Sequence, residues 1–477
     1  MTALKHVQIA ALSPQRFKEI LTEQQSRELD ETIERGDELL GGRVVWNVNS
    51  TMRGGGVAEM LASLVAYARG AGVDSRWVVI RAEPDFFRVT KRIHNMLHGS
   101  PGDGAGLDAE ARGTYERTCA VAARELAELT EPGDLVVLHD PQTAGLVQPL
   151  IEDGARVVWR CHVGIDLPND LARETWRFLL PYVFPAAAYI FSRETYAWDD
   201  LDRSRVVIIP PSIDAFSAKN QSLETAAVRA ILSAAGLLDG SRSGSAQFTR
   251  QDGSRGRVNR RAELHDTPRV PAGARTIVQV SRWDKLKDHV GVLRAFCEHM
   301  AEPDAHLVLA GPSTAAVADD PEGAEVLRDV LAARGQYSRS ASDRVHVVSL
   351  PMVDPEENAA IVNALQRNAT IVVQKSLAEG FGLTVAEAMW KGRPVVASRI
   401  GGIQDQIVDD ENGVLVDPLD LDGLGRILRD LLGDADRAEA LGRRAREQVR
   451  AAFLGPRALA QYVDLFGRLL EPAPASR

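Results

Sequence analysis

The chain alternates two kinds of apolar pattern. Short, almost continuously apolar runs are separated by longer segments in which apolar residues recur at helical spacing. The runs of the first half are GRVVWNVNS, SRWVVIRA, DLVVLHD, ARVVWRCHVG, AAAYIFS and RVVIIPPS. Those of the second half are RTIVQVSR, AHLVLAGPS, RVHVVSL, ATIVVQKS and RPVVAS. Apolar strands that alternate with helices indicate parallel sheets covered on both faces, so we predict an α/β fold with two similar, doubly wound domains.

The two series of strands meet at a segment typical of a hinge. PPSIDAFSAKNQS, residues 210–222, carries proline and serine directly after the last strand of the first series. We therefore predict one domain over residues 1–214 and a second over residues 215–455. The tail after Asp417 is helical in pattern, and its last helix, about residues 456–477, is predicted to pack back onto the first domain. Residues 240–268 are polar, aperiodic and rich in Gly, Ser and Arg, which predicts a mobile insertion in the second domain.

Composition and charge narrow the class of protein. A chain of 477 residues exceeds what one hydrophobic core usually supports, which agrees with two domains. The formal net charge of −10 argues against a nucleic-acid partner, which needs a basic surface. The N-terminal sequence does not resemble a secretion signal, and no apolar run reaches the ~18 residues that would predict a membrane span. The cysteines, Cys119, Cys161 and Cys297, share no metal-ligand spacing, so we expect free thiols in a reducing cytoplasm and no zinc site.

A glycine loop in the first domain is a candidate phosphate site. In VVWNVNSTMRGGGVAEML a strand ends near Ser50, three consecutive glycines occupy positions 54–56, and a helical pattern follows. Such a turn places backbone N–H groups and the positive end of a helix dipole against an anion. The alternative is a tight turn that needs glycine only for close packing. The sequence fits neither the Walker A motif nor the dinucleotide GxGxxG.

Cations and a histidine follow predicted strands elsewhere. In VQVSRWDKLKDH a strand delivers Arg282, Lys285 and Lys287 to its carboxyl end, where open α/β sheets bind ligands. These side chains either stabilise a diphosphate or are solvated surface charges. His162, in WRCHVGID, follows another strand and either donates a hydrogen bond to a substrate or is a core histidine.

Two glutamates, Glu379 and Glu387, bracket the turn in EGFGLTVAEAMWKG. The turn Gly380–Gly382 opens into a short helix that Gly392 stops, and so forms a second candidate anion site. A carboxylate beside an anion site suits an acceptor for sugar or ribose hydroxyls better than a glycosidase acid. Thr384 and Glu387 also have the T-x-x-E spacing of a capping box, so Glu387 has a purely structural alternative.

These residues together resemble a retaining glycosyltransferase of family 4. The resemblance covers nearly the whole chain and rests on Arg282 with Lys287, the Glu379/Glu387 pair, the glycine loop and PVVASRIGGIQDQIVDDENGVLV. It implies the GT-B fold, two facing Rossmann-like domains with the ligand in the cleft between them: an acceptor domain first, a nucleotide-sugar donor domain second. Further stretches, NSTMRGGGVAEML, LHDPQ, WRCHVGID, PPSIDAFSAKN and DDPEG, resemble the trehalose synthases within that family. Those enzymes join a nucleotide-activated glucose to free glucose, and the resemblance also suggests a homodimer.

The resemblance implies a role for each matching residue. Arg282 and Lys287 bind the donor diphosphate and stabilise its departure, while Glu379 contacts hydroxyls of the donor glucose. His162 bonds to that glucose near the reacting carbon. The backbone at Gly380, Phe381, Gly382, Leu383 and Thr384 surrounds sugar and phosphate, with Glu387 on the ribose and Gly55 and Gly56 approaching the phosphates from the other domain. Asp140 belongs to the acceptor pocket.

Other functions stay open at this point. A trehalose phosphorylase shares the fold and uses glucose 1-phosphate, and other family 4 enzymes make sucrose phosphate or glucosylated solutes. A non-catalytic nucleotide-sugar binding module is an alternative of another class. The Asp-x-Asp pairs at Asp200/Asp202 and Asp420/Asp422 lie where helix caps are expected. We therefore predict no catalytic metal and no cofactor, and partners limited to a nucleotide-glucose and glucose, without nucleic acid or membrane.

Overall fold

The structure is a computed structural model that describes residues 2–52, 55–239, 244–314 and 321–471. The chain forms two compact units, one of residues 1–212 and 453–477 and the other of residues 213–452. We call them unit 1 and unit 2. The change of unit after Ser212 falls within the proline- and serine-bearing segment that separates the two series of strands.

Unit 1 is built on a seven-stranded sheet in the order β1-β3-β2-β4-β5-β6-β7. Its strands are β1 (Leu4–Val7), β2 (Val44–Asn49), β3 (Asp74–Ile80), β4 (Leu135–His139), β5 (Arg156–Cys161), β6 (Ala188–Phe191) and β7 (Val206–Ile208). Neighbouring strands are parallel except β1, which pairs antiparallel with β3. Every residue of β4 is buried, as expected for a parallel strand covered on both faces.

Helices cover both faces of this sheet. They are α1 (Glu23–Leu40), α2 (Gly56–Gly70), α3 (Pro84–Leu97), α4 (Ala109–Ala127), α5 (Val147–Glu152) and α6 (Asp170–Val183). One core layer includes Trp159, Tyr115 and Trp198. Short 3-10 turns lie at Pro14–Glu19, Pro141–Leu146, Glu194–Tyr196 and Arg203–Arg205.

Unit 2 repeats the architecture with a seven-stranded sheet in the order β10-β13-β12-β11-β14-β15-β16. A two-stranded hairpin, β8 with β9, lies outside it. The strands are β8 (Gln247–Thr249), β9 (Arg255–Arg257), β10 (Glu263–Leu264), β11 (Arg275–Val280), β12 (Ala305–Pro312), β13 (Val345–Leu350), β14 (Ile371–Gln374), β15 (Val395–Ser398) and β16 (Val414–Val416). Again the first edge strand, β10, is antiparallel to its neighbour, whereas the others are parallel.

The helices of unit 2 lie between these strands and in the tail. They are α7 (Thr225–Ala234), α8 (His289–His299), α9 (Pro321–Arg334), α10 (Arg339–Ser342), α11 (Pro355–Asn368), α12 (Leu383–Trp390), α13 (Ile403–Gln406), α14 (Leu421–Gly433) and α15 (Ala435–Ala452). The core includes Phe296, Leu309, Val347 and Leu428. A 3-10 turn, Lys285–Lys287, leads from the loop after β11 into α8.

The chain returns to unit 1 in its last helix, α16 (Gly455–Leu470). Tyr462, Leu465 and Phe466 on α16 are buried in a cluster with Val45 of β2 and Val137 of β4. The helix therefore completes one face of the first sheet. Among the described residues, no helix has both the length and the apolar character needed to cross a bilayer.

The segment predicted to be a mobile insertion forms regular structure in its described part, residues 244–268, and its mobility stays a prediction. Phe248 and Val258 are buried, and β8 pairs with β9. Arg250 is ion-paired to Asp354, at 2.6 Å, and to Glu356, at 3.0 Å, at the start of α11. Local polarity did not reveal these partners because they are distant in the sequence. Residues 240–243 lie outside the described residues.

In each sheet there is a point where the order in which the chain adds strands reverses. In unit 1, β3 is added on one side of β2, and β4 and the strands after it are added on the other side. The reversal in strand order therefore lies between β2 and β4. In unit 2 β11 and β14 have the same relation. Ligands of open α/β sheets bind in the crevice at the carboxyl ends of such strands. The residues that follow β2, β4, β11 and β14 are therefore the first candidates for a site.

Candidate functional site

An ion pair joins the two strand ends of unit 2. Lys287, in the loop after β11, places its Nζ 2.6 Å from Oε2 of Glu379, in the loop after β14. Their side chains are 14% and 13% exposed, so the pair is shielded but reachable. Ser376 Oγ also donates to Oε2 of Glu379, at 3.3 Å. The structure thus brings together two residues that the sequence singled out on separate motifs.

Arg282 lies at the same edge but is more open. Its side chain is 67% exposed and contacts Asp284 through Nη2, at 3.1 Å. Lys285, the other cation of this loop, instead extends to Glu325 on α9, at 3.2 Å, with its side chain 57% exposed. The three cations of this loop therefore differ in exposure and in ion-pair partner, and Lys287 is the most buried of them.

Hydrogen bonds fix the two loops of unit 2 to each other. The buried Gln279 donates to the carbonyl of Lys287, at 2.7 Å, and accepts from the backbone N–H of Lys375, at 3.2 Å. Leu377 N–H donates to the carbonyl of Leu286, at 2.7 Å. These bonds hold the loops of Lys287 and Glu379 against each other, because they connect the backbone near both residues.

A second ion pair joins the same two loops. Lys375, whose side chain is 1% exposed, contacts Oδ2 of Asp288. Asp288 has a φ of +37° and caps α8 by accepting from Gly291 N–H, at 3.0 Å. A buried lysine needs such a partner, since an isolated charge away from water is costly. Lys375 and Asp288 were missed from the sequence, although Asp288 directly follows Lys287 and Lys375 lies four residues before Glu379.

The turn after Glu379 exposes the start of α12. Gly382 is the N-terminal flanking residue of α12, at φ +82° and ψ +60°, and within the described residues no side chain caps this helix. The carbonyl of Phe381 accepts from the buried Gln406, at 2.5 Å, which holds the turn from behind. The first N–H groups of a helix have no partner inside it, so those of Leu383 and Thr384 suit an anion.

Glu387 is not part of a capping box, so that alternative is wrong. Thr384 lies inside α12 rather than at its flanking position, and its hydroxyl donates to Gln374, at 3.0 Å. Glu387 instead places Oε1 3.4 Å from the Nζ of Lys219, with its side chain 3% exposed. The spacing T-x-x-E is shared by capping boxes and by this arrangement, and only the fold separates them. Lys219, from the segment that opens unit 2, was also missed.

The glycine loop of unit 1 has the geometry of an anion site. Gly55 is the N-terminal flanking residue of α2, at φ +82° and ψ 158°, and among the described residues no side chain caps that helix. A Cβ at Gly55 would meet nothing within 4 Å, so glycine is needed there for its backbone conformation and not for close packing. Gly55 and Gly56 are both exposed. Gly54 lies outside the described residues.

Asp140 and His162 meet at the carboxyl ends of β4 and β5. The Asp140 carboxylate accepts from the backbone N–H of His162, at 2.8 Å, and Asp140 has a φ of +65°. Its own N–H donates to the carbonyl of Arg160, at 2.7 Å. Both side chains reach the same edge as Gly55, so unit 1 has its own cluster of candidate residues.

Burial controls the charge of this cluster. It raises the pKa of the Asp140 carboxyl to about 7, against opposing effects of the His162 N–H and of Arg160. Burial, followed by the positive charge of Arg160, holds the pKa of His162 well below its usual range. Arg160 is itself buried, donating to Tyr462 of α16 and, at 3.1 Å, to the carbonyl of Ile209. His162 is therefore neutral, and Asp140 changes charge near neutral pH.

The Asp-x-Asp motifs act as caps, as expected. Asp202 accepts from Ser204 N–H, at 3.0 Å, and Asp420 accepts from Gly423 N–H, at 2.7 Å, at the start of α14. In the part of the chain that the structure describes, Glu298, His299 and Asp422 place potential ligand atoms within 4.8 Å of one another. His299 and Asp422 are in hydrogen-bond contact at 3.1 Å, which is an ordinary surface pair.

Two family matches divide the chain as the units do. Residues 47–198 match the family described as "Trehalose synthase, N-terminal domain". Residues 260–448 match "Glycosyl transferases group 1". The first contains Gly55, Asp140 and His162, and the second contains Arg282, Lys287, Glu379 and Glu387.

Relatives extend over almost the whole chain. The sequence is 35% identical over 460 residues to a protein of Rubrobacter xylanophilus named "Trehalose synthase", covering 95% of this chain and 96% of that one. It is also 28% identical to a "Trehalose phosphorylase" of Grifola frondosa, covering 87% of this chain but 56% of the relative. This chain is thus similar in extent to the first kind of protein and much shorter than the second.

The fold matches solved glycosyltransferases. A trehalose-phosphate synthase (UDP-forming) from Burkholderia xenovorans, in complex with glucose-6-phosphate, aligns with a TM-score of 0.66 at 17% identity, covering 90% of this chain and 100% of that one. At this identity the likeness bears on the fold alone, which is GT-B.

Proposed function

This chain belongs to the trehalose synthase family, and we propose that it transfers glucose from a nucleotide-glucose donor to free glucose, forming α,α-trehalose with retention of configuration. That it is a glycosyltransferase of trehalose metabolism follows from the family. The donor, an ADP-, UDP- or GDP-glucose, and the acceptor are the proposal.

The observation that carries the proposal is the Lys287–Glu379 pair. A cation and a carboxylate 2.6 Å apart at the carboxyl ends of β11 and β14 offer a charge for a phosphate beside an acceptor for hydroxyls. In the proposed complex Lys287 and the exposed Arg282 bind the diphosphate. Glu379 accepts hydrogen bonds from the glucose, with the N–H groups at the start of α12 against sugar and phosphate.

The nucleotide and the acceptor are assigned to the remaining residues. Glu387, buried beside Lys219, accepts from the ribose hydroxyls, as acidic residues do in dinucleotide folds. In unit 1, Gly55 and Gly56 offer N–H groups to a phosphate. His162 contacts the glucose near its reacting carbon, and Asp140 accepts from a hydroxyl of the acceptor glucose.

In the proposed reaction the acceptor attacks from the face on which the phosphate departs. The bond from the anomeric carbon to the phosphate oxygen breaks, and a bond to the acceptor oxygen forms. The acceptor's proton passes to the leaving phosphate, whose negative charge Arg282 and Lys287 offset. We propose that these side chains supply the charge stabilisation and that no metal takes part.

The test is a comparison of donors. The protein is incubated with glucose and, separately, with ADP-glucose, UDP-glucose, GDP-glucose or glucose 1-phosphate, and trehalose is measured. Trehalose from a nucleotide-glucose supports the proposal. Trehalose from glucose 1-phosphate alone would make the chain a phosphorylase, and donor binding without turnover over any sugar would make it a binding module.

A further inference from the structure

A line of polar side chains runs from the interior of the first sheet to His162. Ser75 of β3 contacts Asn47 of β2, with 3.3 Å between Ser75 Oγ and Asn47 Nδ2. Oδ1 of Asn47 lies 3.3 Å from Nε2 of His139, the last residue of β4. Nδ1 of His139 lies 3.1 Å from Nε2 of His162. Apart from His162, these side chains are buried, so their hydrogen-bond partners are protein groups of the same sheet.

The chemistry of the groups determines which atom donates in each hydrogen bond of this line. Asn47 presents its carbonyl oxygen, which only accepts, so Nε2 of His139 carries the proton. In neutral His139 the other nitrogen, Nδ1, is then an acceptor, and Nε2 of His162 must donate to it. Neutral His162 is left with a lone pair on Nδ1. Among the described residues, no group donates to that atom.

Two further contacts hold His162 in place. Its ring is nearly parallel to that of His139, with centroids 5.5 Å apart and planes 12° apart, which suits an in-plane hydrogen bond between the two ring edges. Its backbone N–H is held by Asp140 at 2.8 Å. Turning the ring over would break its hydrogen bond to His139, and the bond to Asp140 fixes the backbone from which the ring extends. Such fixing of a histidine through its second nitrogen is how proteins choose a tautomer.

We propose that His139 is a positioning residue that fixes His162 as the Nε2–H tautomer, so that Nδ1 of His162 accepts a hydrogen bond from a hydroxyl of the transferred glucose. The inference rests on the proposed function for the identity of the sugar. It reverses the direction expected from the sequence, which made His162 a donor. It also assigns Asn47 and Ser75 a role, since they orient His139.

The direct test is the tautomer of His162 in the wild-type protein. Full-length protein labelled with ¹⁵N at histidine is studied by NMR at neutral pH, and His162 is assigned with His162→Gln. The expected result is protonated Nε2 and unprotonated Nδ1. A proton on Nδ1, whether in the other tautomer or in imidazolium, would overturn the inference. The measurement needs no substrate, so it stands even if no trehalose is made.

The second test replaces the positioning residue. His139→Gln is expected to lower kcat by about 10- to 100-fold, as loss of an outer partner does, with KM for the nucleotide-glucose within about 2-fold of wild type. The NMR signal of His162 should also become a mixture of tautomers.

A matched control exists in unit 2. His306 and His346 are also buried and stacked, with centroids 5.2 Å apart, but His306 lies at the amino end of β12, away from the site. His306→Gln is expected to keep wild-type kcat. If the folded His139→Gln variant also keeps wild-type kcat, or if both variants lose it equally, His139 has no positioning role.

Discussion

The ammonium of Lys287 lies 2.6 Å from the carboxylate of Glu379, and this contact connects the loops that follow β11 and β14, between which the strand order of the second sheet reverses. Each group satisfies the other in the absence of a ligand, so neither is left as an uncompensated, partly buried charge. A donor phosphate and a sugar hydroxyl can then share the pair, since an ammonium has three donors and a carboxylate several acceptor sites.

The first prediction concerns the cations of the loop after β11. Lys287→Ala and Arg282→Ala are each expected to lower kcat by about 10²-fold, because each removes a group that stabilises the leaving phosphate. Steady-state kinetics with glucose and the preferred nucleotide-glucose measure the effect. Lys285→Ala is the matched control, because its side chain pairs with Glu325 and is expected to leave kcat unchanged. Near-wild-type turnover in either of the first two variants removes that residue from the mechanism.

Glu387 gives a prediction about nucleotide affinity. Glu387→Gln is expected to raise the Kd of the nucleoside diphosphate about 10-fold, the effect of losing one charge-assisted hydrogen bond. Calorimetric titration measures the Kd.

The control for this variant is another buried glutamate with a structural role. Glu357 is 1% exposed, pairs with Arg260 and accepts from the N–H of Asn259 at 2.6 Å. Glu357→Gln is expected to lower stability without changing the Kd. An unchanged Kd in Glu387→Gln would show that this carboxylate does not contact the ribose.

The third prediction is a pH dependence of catalysis from Asp140. Its pKa is raised to about 7 by burial, and only the ionised form is a pure acceptor for a glucose hydroxyl. The kcat/KM for glucose should therefore rise as the pH increases through about 7. Asp140→Asn should flatten this rise, whereas an identical pH profile in that variant would assign the titration to another group.

Stability should respond to Asp140 in the opposite sense. The folded carboxyl keeps its proton up to about pH 7, whereas the unfolded one releases it near its ordinary pKa of 3.8. The folded state binds more protons in this window, so the contribution to stability falls as the pH rises from about 4 to 7. Denaturant midpoints for the wild type and Asp140→Asn over this range should diverge with pH. Parallel curves would contradict the raised pKa.

The buried histidine pair of unit 2 predicts sensitivity to acid. His346 donates through Nδ1 to the carbonyl of Pro268, at 2.9 Å, and burial lowers its pKa to about 4. A depressed pKa means that the unfolded chain binds more protons below 6.5, so this stability is complete above pH 6.5 and is lost as the pH falls toward 4. His346→Gln should reduce the loss of denaturant midpoint between pH 7 and 5. An equal loss in both proteins would place the sensitivity elsewhere.

Much of the fold and part of the site could be predicted from the sequence. The long apolar runs became the central strands of both sheets, because burial on two faces leaves a strong local signal. The edge strands β1, β10 and β16 were missed, since each is only two to four residues long. The positions of the cations after β11 and of the glutamate after β14 could be predicted because each follows an apolar strand, and their role in binding a ligand stays a prediction.

Other contacts could not be predicted because their partners are far apart along the chain. Lys219 approaches Glu387 from the segment that opens unit 2, and local spacing suggested a capping box instead. The hairpin of β8 and β9 is anchored through Arg250 by Asp354, directly before α11, and by Glu356 on α11, partners that its own polar sequence does not reveal. The sequence pattern places His139 at the end of an apolar strand, and only the fold shows that it contacts His162.

Lys287 and Glu379 are proposed to serve a glucosyl transfer that forms trehalose. The most direct measurement follows glucose labelled with ¹³C at C1 by NMR, together with unlabelled nucleotide-glucose and wild-type protein or Lys287→Ala. We expect the wild type to convert the label into the α anomeric signal of α,α-trehalose, with about 10²-fold slower conversion in the variant. Equal rates, a β linkage, or no disaccharide from any nucleotide-glucose would contradict it.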